Sequence, residues 1–155
     1  MRRVINFITS DLIDYLVALT IATTSVLTIT QVFLRYVANS PLFWSEELTR
    51  YLIVWLTFLG ASLGIRHQGH IAIKFVNELI PAAWRKPINL FLETLIIAYL
   101  VLLVWLGIKV VKVFMVFKSA ALGIPQGFVF LAVPVGAALM AYHKIRQIRR
   151  TVGDS

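Results

Sequence analysis

The 155-residue chain is 59% hydrophobic and 14% charged, with a mean hydropathy of +0.84. A soluble domain is about 45–50% apolar, so a soluble globular fold is excluded, and the charges cluster between apolar runs as they do in membrane proteins. With no cysteine, disulfide frameworks, thiol catalysis and Cys-ligated metals are ruled out, and the net charge of +8 reads as loop Lys and Arg facing anionic lipid rather than as a nucleic-acid surface.

Arg2 and Arg3 precede an apolar run, as in a signal peptide. The uncharged stretch from Tyr15 to Leu34 is longer than the ~7–15-residue core of such peptides, which predicts a retained membrane helix over about 12–37. Asn39-Ser40-Pro41 ends it, because Pro41 disfavours helix at the residue before it. A second helix is predicted over about 45–65, short in its uncharged part and held at the interface by Glu46, Glu47 and Arg50.

The residues after Arg66 mix Ile71, Ile73, Phe75, Val76, Leu79 and Ile80 with His70, Lys74, Asn77 and Glu78. This predicts a short amphipathic interfacial helix at about 70–80 anchored by Trp84, an irregular loop being the alternative. The third membrane helix is predicted over about 88–117; at 1.5 Å per residue it is ~45 Å long against a core of ~30 Å, so it tilts or projects. The fourth is predicted over about 123–143, kinked at Pro134. The fold class is therefore an all-α integral membrane protein: four transmembrane helices, one tilted and overlong, plus the interfacial helix. Ten Lys and Arg fall on the side of the N-terminus, the second loop and the C-terminal tail, and five on the first and third loops. The positive-inside rule then places both termini in the cytoplasm, with the basic tail from Lys144 to Arg150 holding the last helix at that leaflet.

His67 and His70 share a metal-like i, i+3 spacing but have no third ligand beside them, so no metal or cofactor is expected. Glu93 is the deepest acid of the third helix, ~8 Å in at 1.5 Å per residue; it is either a paired interfacial carboxylate or the carboxylate of a small oligomeric exporter. Thr20, Thr24, Thr28, Gln31 and Arg35 share one face of the first helix. That face suits a partner helix, the alternatives being Thr hydroxyls bonded to their own i−4 carbonyls, or a substrate path. Gly60/Gly64 and Gly123/Gly127 are GxxxG spacings that let helices approach. Arg35, Trp44, Glu46, Glu47 and Arg50 form the densest polar cluster, with Ser45 as a helix cap and Arg35 in reach of a carboxylate. This is either a docking and assembly surface or a plain cap with interfacial anchors. Arg66, His70 and Trp84 mark the opposite, cytoplasmic interface. No nucleophile–base pair or metal set points to an enzyme.

The series Gln31-Val-Phe-Leu-Arg35-Tyr36, Pro41-Leu-Phe-Trp-Ser-Glu-Glu-Leu-Thr-Arg50-Tyr51, Trp55-Leu-Thr-Phe-Leu-Gly60-Ala61, Arg66-His-Gln-Gly-His70-Ile71, Leu122-Gly-Ile-Pro125-Gln-Gly127 and Pro134-Val-Gly136 resembles the small membrane subunit of TRAP transporters, the DctQ family. Lys74 departs from the acidic residue that many members carry near there. The resemblance implies a bacterial inner-membrane subunit of a tripartite system. In it a periplasmic binding protein of the DctP type captures an organic acid, and a large subunit of the DctM type carries it inward on an ion gradient, usually sodium. The small subunit is then a noncatalytic partner that stabilises the large one and helps dock the binding protein. Bound phospholipid at the subunit boundary is compatible with this role, and no nucleic acid is involved.

Overall fold

The computed structural model describes residues 2–68 and 81–153, with side chains described for 12–66, 81, 84, 85 and 87–148. The interfacial helix expected at 70–80, and with it His70, lies outside the described residues. The elements are α1 (Arg2–Tyr36), α2 (Phe43–Gln68), α3 (Ala82–Phe114), α4 (Gly127–Phe130) and α5 (Ala132–Gly153). Four stretches are long and apolar enough to cross a membrane: Leu12–Tyr36, Phe43–Arg66, Pro87–Phe114 and Gly127–Ile148. The fold is an all-α membrane architecture.

Helix α1 stops through a left-handed residue as well as a proline. The Val37 and Ala38 amides both return to the Phe33 carbonyl, at 2.8 and 3.4 Å, and Ser40 N–H reaches Leu34 O at 3.0 Å. Asn39 then takes φ of 49°, a conformation Asn tolerates better than most residues, and Pro41 cannot resume the helix. Helix α3 starts at Ala82 rather than after Pro87. Pro87 stands just past the first turn, where its missing N–H costs one bond to Ala83 and the helix carries on around it.

The same helix ends at Phe114, short of the expected 117. The backbone beyond is taken by a hairpin: Ser119 N–H bonds Ile124 O at 2.8 Å, Gln126 N–H bonds Phe117 O at 2.8 Å, and Lys118 pairs with Pro125. Gly123, with φ of 68°, makes the turn and cannot belong to the fourth helix, which begins at Gly127 instead of 123. Its expected kink appears as the break at Leu131, because the Pro134 ring conflicts with the carbonyl of Phe130 four residues back. The helix also runs on past 143, to Gly153.

The long helices stand in an open row rather than a closed bundle: α1 against α2, α2 against α5, α5 against α3. Short α4 rests mainly on α3. The last span is 44% buried and the first only 6%, so α4–α5 forms the central pillar and α1 the outer edge. Glycines allow the close approaches. A methyl at Gly136 would stand 2.6 Å from Phe58 Cβ, and one at Gly107 2.9 Å from Pro134 Cδ. Leu100, Ala137 and Met140 form the buried core, with Phe58, Ile65, Leu103, Val104 and Ala141 packed around them. Most other large apolar side chains face outward, as a lipid-solvated protein requires.

Candidate functional site

Polar side chains gather at the two ends of the row. At one end the α1–α2 turn meets the 115–126 hairpin. Arg35 Nη1 lies 3.2 Å from Glu46 Oε1, and both side chains are about 60% exposed (59% and 60%). An exposed pair of this kind contributes at most about 1 kcal/mol, so it fixes orientation more than stability. Glu47 has a larger role. Its Oε2 accepts the backbone N–H groups of Ala121 at 2.9 Å and Leu122 at 3.1 Å, and its Oε1 accepts the Tyr51 hydroxyl. One carboxylate on α2 thereby ties down the loop between α3 and α4, over 74 positions of sequence.

Ser45 does not cap α2. It is fully buried inside the first turn, its Oγ 2.7 Å from Leu42 O and 3.0 Å from Gln31 Oε1. A hydroxyl has one hydrogen to give, so Leu42 O, the nearer acceptor, and Gln31 Oε1 compete for it. Around this contact lies a shallow cleft of about 120 Å³ lined by Gln31, Val32, Arg35, Tyr36, Pro41, Leu42, Ser45 and Glu46. Trp44 is 41% exposed at its edge of the helix, and Arg50 is exposed with no ion pair among the described residues.

At the opposite end, Arg66 on α2 pairs with Asp14 on α1 at 3.2 Å, and Lys144 on α5 pairs with Glu93 on α3 at 3.4 Å. Lys144 is only 4% exposed, and His143 beside it is buried. Lys144 therefore does not reach out to the leaflet with the basic tail, as the charge count suggested; it is taken inward by Glu93. Glu93 in turn is engaged rather than free. Trp84, at the start of α3, is 63% exposed.

The polar face of α1 divides. Asp14, Thr20, Thr24 and Gln31 are half-buried on the stripe whose two ends bond α2, while Thr28 is exposed. Thr20 donates to Leu16 O at 2.7 Å and Thr28 to Thr24 O at 2.8 Å, each closing an i−4 bond. Gly60 and Gly64 have open space where a Cβ would stand, so no helix among the described residues uses that groove. Gly123 and Gly127 do not act as a helix pair: the first makes the turn, and the second stands so close to Met115 that an added Cβ would come within 2.7 Å of its Cγ. Sequence reasoning missed Asp14, the contact of Lys144 with Glu93 and the Ala121–Leu122 amides. For Asp14 a signal existed: Arg35–Glu46 and Asp14–Arg66 are both centred on the 39–41 turn, so antiparallel register aligns them.

Residues 24–154 match the family model of the DctQ component of tripartite ATP-independent periplasmic transporters. The chain belongs to the DctQ family. Among relatives of this DctQ-family chain, the sialic acid TRAP transporter permease protein SiaT of Haemophilus influenzae is 37% identical over 118 residues, covering 76% of the chain and 19% of that protein. The sialic acid TRAP transporter small permease protein SiaQ of Vibrio cholerae is 28% identical over 148 residues, covering 96% of the chain and 83% of the relative. The ectoine TRAP transporter small permease protein TeaB of Halomonas elongata is 25% identical over 136 residues, covering 85% and 69%. The chain thus spans about a fifth of the first relative and most of the two small permeases. It is a multi-pass membrane component of a TRAP transporter.

Proposed function

We propose that the chain is a noncatalytic small subunit of the bacterial inner membrane that packs along a large DctM-type permease, stiffens it, and helps seat a periplasmic DctP-type binding protein during organic-acid uptake. The carrying observation is the distribution of polar groups. The four acids with described side chains, Asp14, Glu46, Glu47 and Glu93, all stand toward the ends of the apolar spans, and each is engaged by Arg66, Arg35, Tyr51 with the loop amides, or Lys144. Secondary transporters build their substrate sites near the midplane from broken helices. An open row whose Gly60/Gly64 groove is used by no helix among the described residues suits a buttress better. A relative in which the matched segment is a fifth of a longer permease supports a large neighbour.

The reading places both termini in the cytoplasm, so that Arg35, Trp44, Glu46, Glu47 and Arg50 face the periplasm, where a binding protein would arrive. Coupling to sodium and the choice of an organic acid rest on the family; relatives named for sialic acid and for ectoine leave the substrate to other chains. The Lys144 contact on Glu93 weighs against a self-contained exporter driven by that carboxylate. Co-expression with the neighbouring large permease tests the proposal. The chain should co-purify with it in stoichiometric amounts, and neither alone should support uptake in liposomes. Transport by the purified chain alone would refute the assignment.

A further inference from the structure

The outer end of α3 and the hairpin after it carry three cations that the reading above leaves unexplained. Lys109, Lys112 and Lys118 are exposed, and no ion pair joins any of them to an acid among the described residues. The Lys109 Nζ lies 3.6 Å from the centre of the Trp105 ring, and Trp105 is 54% exposed. Steps of four and three put Trp105, Lys109 and Lys112 on one helix face.

The packing of the helix fixes where that face points. Gly107 touches Pro134 of α5, Val111 is buried, and the Phe114 ring sits 4.4 Å from that of Phe130. These residues occupy the opposite side, so the Trp105–Lys109–Lys112 stripe looks outward from the edge of the row. Depth follows from the helix rise. Counted from Pro87, where the apolar span begins, Trp105 stands ~27 Å and Lys109 ~33 Å along the axis at 1.5 Å per residue. A hydrocarbon core is ~30 Å thick, so the stripe crosses the headgroup boundary, with Trp105 just inside it and the ammonium groups just outside. Lys118 is held at the same end by the pairing of its backbone with Pro125.

From this geometry we infer that the Trp105/Lys109/Lys112/Lys118 edge is a binding site for the headgroup of an anionic phospholipid. The indole and the exposed Ile108 and Val113 meet the acyl chains, and the lysines meet the phosphate. Cations without an acid partner among the described residues, beside an interfacial aromatic on an outward edge, suit the anionic headgroups at that level. A soluble acidic partner fits less well, because the stripe begins below the headgroup level.

The test uses the full chain in nanodiscs containing brominated phosphatidylglycerol or brominated phosphatidylethanolamine, with the Trp105 emission isolated by subtracting a Trp105→Phe variant. Quenching of Trp105 should be about two-fold or more stronger with the anionic lipid. The preference should vanish in Lys109→Gln/Lys112→Gln/Lys118→Gln and persist in the corresponding Arg variant. It should also fade at about 1 M salt with all three lysines in place, a readout that needs no lysine variant to fold. Equal quenching by both lipids in the unaltered protein would overturn the inference. Equal quenching together with loss of the large permease from the Gln variant would reassign the edge to an acidic protein surface.

Discussion

At the scale of single residues, the same charge type plays different parts according to burial. Arg35 and Glu46 share water and can rearrange at little cost. Lys144 cannot: at 4% exposure its ammonium depends on Glu93, whose side chain is 25% exposed. Removing one partner of such a pair leaves an uncompensated charge, whereas replacing both by apolar or neutral groups is often tolerated. Glu93→Gln should therefore destabilise the chain by about 3 kcal/mol in a mixed-micelle unfolding titration. Lys144→Met should cost less, because the freed carboxylate can turn to water. The double variant should recover to within about 1 kcal/mol of the parent. Losses that simply add would show that the two side chains do not depend on each other.

The helices themselves are legible in the sequence, because a span of ~20 apolar residues is a local property that any window along the chain detects. Their ends are less so. Phe114 stops α3 through hydrogen bonds that the hairpin makes with itself, and Ala82 starts it ahead of a proline that looked like its boundary. Pairings across elements are the least visible. Glu47 reads as a helix-dipole partner until the Ala121 and Leu122 amides are brought to it, and nothing in the local pattern separates the glycines that pack from those that stay open. Gly136 and Gly60 supply the contrast. Gly136→Leu forces a side chain into Phe58 and should cost about 1–3 kcal/mol of stability, splaying α2 from α5. Gly60→Leu enters open space and should leave the isolated chain as stable as before while weakening co-purification with the large permease. A Gly60→Leu chain that assembles normally would remove that groove from the subunit boundary.

For the molecule as a whole, the contacts fix which loops lie together, and the proposed orientation rests on the charge count. Glu47 bonds the backbone at 121 and 122, so the α1–α2 turn and the α3–α4 hairpin share one side of the membrane whatever the orientation. Pro81, ahead of α3, lies at the opposite end. In the proposed orientation that opposite end, with its excess of cations, faces the cytoplasm. Because the chain has no native cysteine, single substitutions report position without background. Ser40→Cys and Ala120→Cys, both at exposed sites, should react with a membrane-impermeant maleimide on intact spheroplasts, and Pro81→Cys only after permeabilisation. Reversal of all three would keep the fold and invert the proposed orientation, which would move the Arg35–Arg50 cluster away from any periplasmic partner. A different response at 40 and 120 would contradict the fold itself, since no single insertion of this row could separate two segments joined by the Glu47 carboxylate.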